Sequence, residues 1–250
     1  AVASLQATLD SVAGQDYARI EHIIVDGRSK DQTLGIIHRY VEDNTVAAIP
    51  HNIRLVCEPD EGLYDAMNKA IRLAAGDYIV FLNAGDRLHA TTTISEIAAK
   101  ADWIRGDYTN PAILYGETDL VDSDGKFIRH RRLQSPEKLT WQSFRAGMLV
   151  CHQSFYVRTD IAQENLYDLQ YKFSADFDWC IRVLKMARKR RLQVVNTRLI
   201  LTDYLTGDGL TVQNQRKSLM ERLRVMVAHY GWLTTIAMHL WFVVRSIIKR

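Results

Sequence analysis

Three aspartates stand at the ends of predicted elements, and carboxylates so placed can hold a metal or move a proton. Asp26 closes the β-branched run Glu21-His-Ile-Ile-Val-Asp26. Asp86 follows the apolar run 77–82 through Asn83-Ala-Gly, and Asp176 falls in the first turn of a helix opened by Ser174. A buried strand in an open α/β sheet delivers whatever follows its carboxyl end into the ligand crevice. Asp86 is thereby expected where a diphosphate and its metal would lie, and Asp26 converges on the same crevice. Any one of them alone would be ordinary punctuation, because aspartate suits strand-ending turns and the first helical turn, where it meets the macrodipole. The combination points to a site.

The elements that must position these carboxylates alternate. Residues 1–16 carry Val2, Leu5, Leu9 and Val12 at amphipathic helical spacing, and a βα unit would place a strand ahead of them. After the strand ending at Asp26 comes a helix through Leu34, Ile37 and Val41. Strand 53–57, helix 64–74 and strand 77–82 follow. This order predicts a mostly parallel sheet covered on both faces. Beyond Asp86 the spacing predicts a helix over 92–100. The strands 113–119 and 126–132 flank the turn Asp122-Ser-Asp-Gly125 as an antiparallel hairpin. Ser174 is a good N-cap for a helix through Phe177, Cys180, Ile181 and Leu184, and a strand at 194–201 and a helix at 214–229 complete the pattern.

Composition narrows the function class. With 250 residues, 47% hydrophobic content and four prolines, one substantial core is the expectation. A catalytic domain over 1–212 and a helical tail over 213–250 describe the chain. Net charge is +3 and unevenly spread, with 58–65 acidic and 126–132 and 185–191 basic, which is not the pattern of a nucleic-acid binder. Cys57, Cys151 and Cys180 lack CxxC spacing and are odd in number, so they read as reduced thiols of a cytoplasmic protein. Residues 232–244 are mainly apolar but too short for a bilayer core of about 30 Å. They read either as an interfacial helix, with Trp232, Trp241 and Phe242 beside Arg245, Lys249 and Arg250, or as a helix packed on the domain.

Specific motifs carry a resemblance. Val25-Asp-Gly-Arg-Ser-Lys-Asp-Gln-Thr33 resembles the acidic loop of family 2 glycosyltransferases, and Glu58-Pro-Asp-Glu-Gly-Leu-Tyr-Asp-Ala-Met-Asn-Lys69 resembles their bacterial exopolysaccharide branch. Phe81-Leu-Asn-Ala-Gly-Asp86, Cys151-His-Gln-Ser-Phe155 and Ser174-Ala-Asp-Phe-Asp-Trp179 continue the likeness in the family's order, with enzymes of colanic-acid-type polysaccharide synthesis nearest. The resemblance implies a GT-A fold, Rossmann-like, with a mixed, mostly parallel sheet flanked by helices. It implies a sugar donor carried on a nucleoside diphosphate and inverting transfer to an acceptor hydroxyl, the acceptor being a polyprenyl-diphosphate-linked oligosaccharide at the inner face of the cell membrane.

By the same resemblance Asp26 recognises the nucleotide base and Asp86 holds Mg²⁺ or Mn²⁺ across the diphosphate. Asp176 is the catalytic base. Asp65, Asn68 and Lys69 lie near the donor, and the loop 207–211 closes on the diphosphate, with Asp208 where glycine is usual. The commoner strand end is Asp-x-Asp-Asp, so Asn83 and Gly85 stand where acids are frequent and Asp86 alone keeps the metal role. His152 and Gln153 read as lining the acceptor side or as hydrogen-bonded structure. Asp178 sits two residues past Asp176 and points away from it on a helix, so it orients a neighbour or decorates the helix start. Two other readings stay open: a sugar-phosphate nucleotidyltransferase, whose glycine-rich triphosphate loop would precede Ala1, and a non-catalytic membrane-associated scaffold.

Overall fold

The computed structural model describes residues 2–100, 110–207 and 214–248. Its strands and helices include the predicted ones in their order and add short elements at 87–88, 155–158 and 159–164. They are α1 (Val2–Ala13), β1 (Glu21–Asp26), α2 (Thr33–Asn44), β2 (Asn52–Cys57), α3 (Leu63–Leu73), β3 (Tyr78–Ile79), β4 (Arg87–Leu88) and α4 (Thr93–Lys100). The second half adds β5 (Ile113–Val121), β6 (Phe127–His130), β7 (Phe155–Arg158), α5 (Thr159–Glu164), α6 (Ala175–Lys189), β8 (Val194–Leu205) and α7 (Gln215–Ile248). The rest of the loop 207–211 after Gly207, and Lys249 and Arg250, lie outside the described residues.

The strands form a mixed arrangement. β1 and β2 make one parallel pair, and the larger sheet runs β3-β7-β5-β8-β4 with β6 on β5. Its longest ladder, β5 with β8, is parallel, while the shorter β3·β7, β5·β7, β4·β8 and β5·β6 pairings are antiparallel. β5 is the centre: eight of its nine residues are buried, and its Gly116 admits the neighbouring strand so closely that a Cβ there would lie 2.5 Å from Leu199 O. The predicted hairpin is present, with Asp122 accepting from Asp124 N and Lys126 N and Gly125 at φ 82°.

The core lies between this sheet and α3 and α6. α3 buries Tyr64, Met67, Asn68, Ala70 and Ile71, the i, i+3, i+4, i+6 and i+7 stripe of an amphipathic helix. α6 buries Phe177, Trp179, Cys180, Ile181 and Leu184. Trp179 stacks on Tyr167 at 4.8 Å, and Tyr167 stacks on Tyr64 at 5.4 Å, so one aromatic column joins the two helices.

Two elements differ from expectation. The strand read over 77–82 is paired only at Tyr78 and Ile79, because among the described strands only β7 reaches it. Ser174 precedes α6 but makes no side-chain cap; its hydroxyl donates to Ser218 O on α7. The open amides there are taken by Glu221 of α7, which accepts from Lys172, Phe173 and Ser174 N. α7 also brings Val225 and Met226 into the core and kinks at Gly231, where φ is 78°. None of the described helices is long and apolar enough to cross a membrane.

Candidate active site

Asp86 is seated by a turn that this local sequence favours. Asp86 N donates to Asn83 O at 2.9 Å, and Gly85 sits at φ 112° with the Leu205 side chain 2.5 Å from where a Cβ would stand. The positive φ favours glycine there. The Asp86 carboxylate is 3% exposed and accepts from Gln153 Nε2 at 2.8 Å, Leu205 N at 3.2 Å and Asn83 N at 3.4 Å. Burial pushes its carboxyl above the ordinary value of 3.8, and Gln153, the His152 ring and the two amides offset only part of that rise. A buried carboxylate whose charge is incompletely answered is a seat for a cation.

Asp176 is held on the far side of the same pair of residues. Its Oδ2 lies 3.4 Å from His152 Nδ1 and its Oδ1 accepts from Tyr64 Oη at 3.2 Å, with 22% of its side chain exposed. Burial raises its pKa, but the His152 contact, Arg222 of α7 and Phe177 N outweigh it and hold the carboxyl below 3.8. It is therefore ionised at neutral pH and partly exposed. His152 Nε2 is buried without a partner among the described residues.

The short 3-10 turn His152–Ser154 joins the two carboxylates, since Gln153 bonds Asp86 and His152 contacts Asp176. That turn is fixed beneath by Thr202 Oγ1 on Gln153 O at 2.7 Å and by the Ser154 and Thr118 hydroxyls at 2.7 Å.

Asp26 ends β1 opposite Cys57 in the parallel ladder, 6% exposed, and accepts from Ser29 N at 2.9 Å and Cys57 Sγ at 3.5 Å. Burial raises its pKa, but these bonds and that from Arg28 N bring it below 3.8, so the carboxylate is ionised at neutral pH. Gly27 lies beneath Asp60, where a Cβ would meet the carboxylate at 2.4 Å, so the acidic loop and the 58–65 turn sit against each other.

Other predicted residues are placed elsewhere. Asn68 is 2% exposed and turns its amide to Tyr167, donating to its O at 2.9 Å and accepting from its N at 2.7 Å, so it clamps the core. Lys69 is engaged by Pro59 O, Glu58 and Asp65, and Asp65 also accepts from Glu61 N, so both shape the acidic turn. Asp178 is 5% exposed and lies between Arg182 Nε at 2.6 Å and His229 Nε2 at 2.7 Å, in the joint between α6 and α7. Asn83 meets Asp86 through its backbone, its carbonyl accepting from Asp86 N and its N donating to the Asp86 carboxylate. Cys57, Cys151 and Cys180 are free thiols.

Residues the motifs did not single out complete the arrangement. Tyr64 could have been found as the residue one helical turn before Asn68. Glu221 and Arg222, however, look like surface charges of a helix, and nothing local marks them as neighbours of residues almost fifty positions earlier.

Solved structures of similar fold identify the architecture. Over 90% of this chain and 61% of the other, it superposes with TM-score 0.63 and 15% identity on Staphylococcus aureus TarS in complex with UDP. The mannosyltransferase PcManGT of Pyrobaculum calidifontis, in complex with GDP-Man and Mn²⁺, gives 0.61 and 16% over 96% and 67%. The fold is GT-A, a mixed sheet flanked by helices.

The chain belongs to glycosyl transferase family 2, whose model matches residues 2–166. It is 32% identical over 185 residues to the PGL/p-HBAD biosynthesis glycosyltransferase of Mycobacterium bovis, covering 72% of this chain and 64% of that one. It is 26% identical over 190 residues to the amylovoran biosynthesis glycosyltransferase AmsB of Erwinia amylovora, covering 74% and 61%. The chain thus spans less than two thirds of the length of these relatives.

Proposed function

We propose that this protein is an inverting glycosyltransferase of bacterial surface polysaccharide synthesis, moving a sugar from a nucleoside-diphosphate donor to an acceptor hydroxyl. The observation that carries this reading is the single turn, His152 and Gln153, which ties the buried carboxylate Asp86 to the ionised, accessible carboxylate Asp176. One side then handles a diphosphate and the other an acceptor. The residues fit a divalent cation: Asp86 would offer an anionic oxygen, the ligand type that Mg²⁺ or Mn²⁺ prefers. When bound, such a cation offsets the charge that develops on the departing diphosphate.

Asp176 takes the proton of the acceptor hydroxyl as that oxygen bonds to the anomeric carbon. The bond from that carbon to the diphosphate oxygen breaks on the opposite face, so the configuration inverts. His152, with Nε2 unpaired among the described residues, is placed to orient a hydroxyl of sugar or acceptor. Asp26 and the 29–33 loop form the nucleobase wall. Asp65 and Lys69 support the donor side through the acidic turn.

The amylovoran relative supports the assignment to polysaccharide synthesis. A lipid-linked oligosaccharide acceptor is supported by the outer part of α7. Trp232, Leu233, Ile236, Leu240 and Trp241 are exposed there, while Met238 and Phe242 pack inward. A shallow basic cleft lined by Trp141, Lys185, Arg188 and Lys189 lies beside Tyr230, which stacks on Trp141. This face meets the cytoplasmic leaflet, so the protein floats with anionic vesicles and Trp232→Ser with Trp241→Ser releases it; equal flotation of the double variant contradicts this.

The test of the main reading is Asp176→Asn in the full chain. Donor affinity by calorimetry stays within about twofold and transfer falls about 10²–10⁴-fold, the contribution of a positioned base. Unchanged transfer removes Asp176 from that role.

A further inference from the structure

A second constellation lies on the other face of the sheet. Thr202 reaches Gln153 and Thr118 reaches Ser154, so by strand alternation the next residues, Asp203 and Asp119, point away from the cleft. Asp119 and Asp203 are paired residues of the parallel β5·β8 ladder, and Asp119 is 4% exposed. His89, which follows β4, sets Nδ1 2.6 Å from Asp203 Oδ1, and His130, the last residue of β6, sets Nδ1 2.7 Å from Asp119 Oδ1. One ligand atom each from His89, Asp119 and Asp203 lies within 4.8 Å of the others.

Like charges side by side on neighbouring strands destabilise a sheet, and a buried carboxylate needs a partner. Among the described residues these two carboxylates form ion pairs only with the two imidazoles. Arg87, whose backbone pairs with Asp203, donates instead to Ser123 O.

We infer that His89, Asp119, Asp203 and His130 form a site for a divalent transition metal, with Zn²⁺ the best match. Two imidazoles and two carboxylates suit Zn²⁺, whereas Mg²⁺ and Mn²⁺ favour all-oxygen shells, so this site is chemically distinct from the one at Asp86. Tetrahedral bonds of about 2.0–2.1 Å put ligand atoms about 3.3 Å apart, a spacing within reach of the His89, Asp119 and Asp203 atoms that already lie within 4.8 Å of one another, and His130 joins from its contact with Asp119. His130, 68% exposed, leaves a path for entry. The four ligands come from β5, β6, β8 and the end of β4, so a bound ion clips the strand that directly follows Asp86 to the sheet.

The test uses the full chain, free of any affinity tag and stripped with chelator, titrated with Zn²⁺ in the absence of nucleotide sugar and with Co²⁺ as an optical substitute. One ion per chain binds, Co²⁺ gives the visible band of a tetrahedral site, and the melting temperature rises with Zn²⁺. His89→Gln with His130→Gln, and separately Asp203→Asn, weaken binding by more than the roughly 10–100-fold that changes beyond the ligands themselves produce. Asp86→Asn leaves Zn²⁺ affinity as it was. Wild type binding no Zn²⁺, the double histidine variant and Asp203→Asn both binding as tightly as wild type, or Asp86→Asn abolishing binding, overturns the site.

Discussion

Asp86→Asn separates stability from function. The asparagine keeps the shape of the side chain: its Oδ1 accepts from Leu205 N and its Nδ2 faces Gln153, whose amide turns to present oxygen, while the long 3.4 Å bond from Asn83 N is lost. What disappears is a charge that burial disfavours, since the carboxyl pKa lies above 3.8 despite Gln153, His152 and two amides. A group with a raised folded pKa contributes stability that is full below the unfolded value and is lost as pH rises through the folded one. At pH 7, without cation, the ionised aspartate is therefore less favourable to the fold than its protonated form, and the neutral asparagine leaves stability within about 1 kcal/mol of wild type or raises it by that much. In a chain of this size 1 kcal/mol moves the melting temperature by about 2–4 °C. Lowering the pH toward 4 shifts the comparison in favour of wild type. Diphosphate release, in contrast, falls about 10²–10³-fold, the usual effect of removing one group that answers developing charge. Scanning fluorimetry with and without Mn²⁺, beside a diphosphate-release assay, reads both. A variant destabilised by more than about 2 kcal/mol, or one that keeps Mn²⁺-dependent turnover, refutes the reasoning.

Other perturbations follow from the same contacts. Asn68→Ala orphans the buried N and O of Tyr167 and lowers unfolding stability by about 2–4 kcal/mol in a urea titration, while KM for the donor in the folded enzyme is unchanged. Glu221→Ala frees three amides ahead of α6 and so loosens Asp176; kcat falls about tenfold or more with KM nearly constant. His22, packed against Tyr40, has its pKa pushed down to about 4, first by burial and then by His51. A depressed pKa gives stability that is present above the unfolded value of 6.5 and is lost as pH falls toward 4. Unfolding stability at pH 5 is about 2 kcal/mol below that at pH 7 on this account, and His22→Phe flattens the difference.

Much of the site was legible because it is local. A β-branched run ending in Asp26, an apolar run ending at Asn83-Ala-Gly-Asp86 and an acid in the first turn after Ser174 are patterns that backbone preferences alone expose. The parallel β1·β2 pair and the Asp122–Gly125 turn were equally readable. What was hidden depends on contacts distant in sequence. Asn68 looked like a donor contact because it follows Asp65 in a motif, yet Tyr167, 99 residues later, holds its amide. Asp178 shares a helical turn with Asp176, but its partner His229 lies on the last helix. Ser174 has the right type for a cap, yet its hydroxyl goes to Ser218 O, and Glu221 instead holds the three amides just ahead of the helix. The helical tail over 213–250, whose apolar part read either as an interfacial helix or as one packed on the domain, carries His229, Glu221 and Arg222, so α7 braces the helix that presents the proposed base.

The central claim is a single displacement across the cleft between Asp86 and Asp176. Its most direct measurement is the anomeric configuration of the product, by proton NMR, when the full chain transfers from a donor of known configuration. The account predicts an inverted linkage formed in step with diphosphate release. A retained configuration, or release with no new glycosidic bond when acceptor is present, contradicts it.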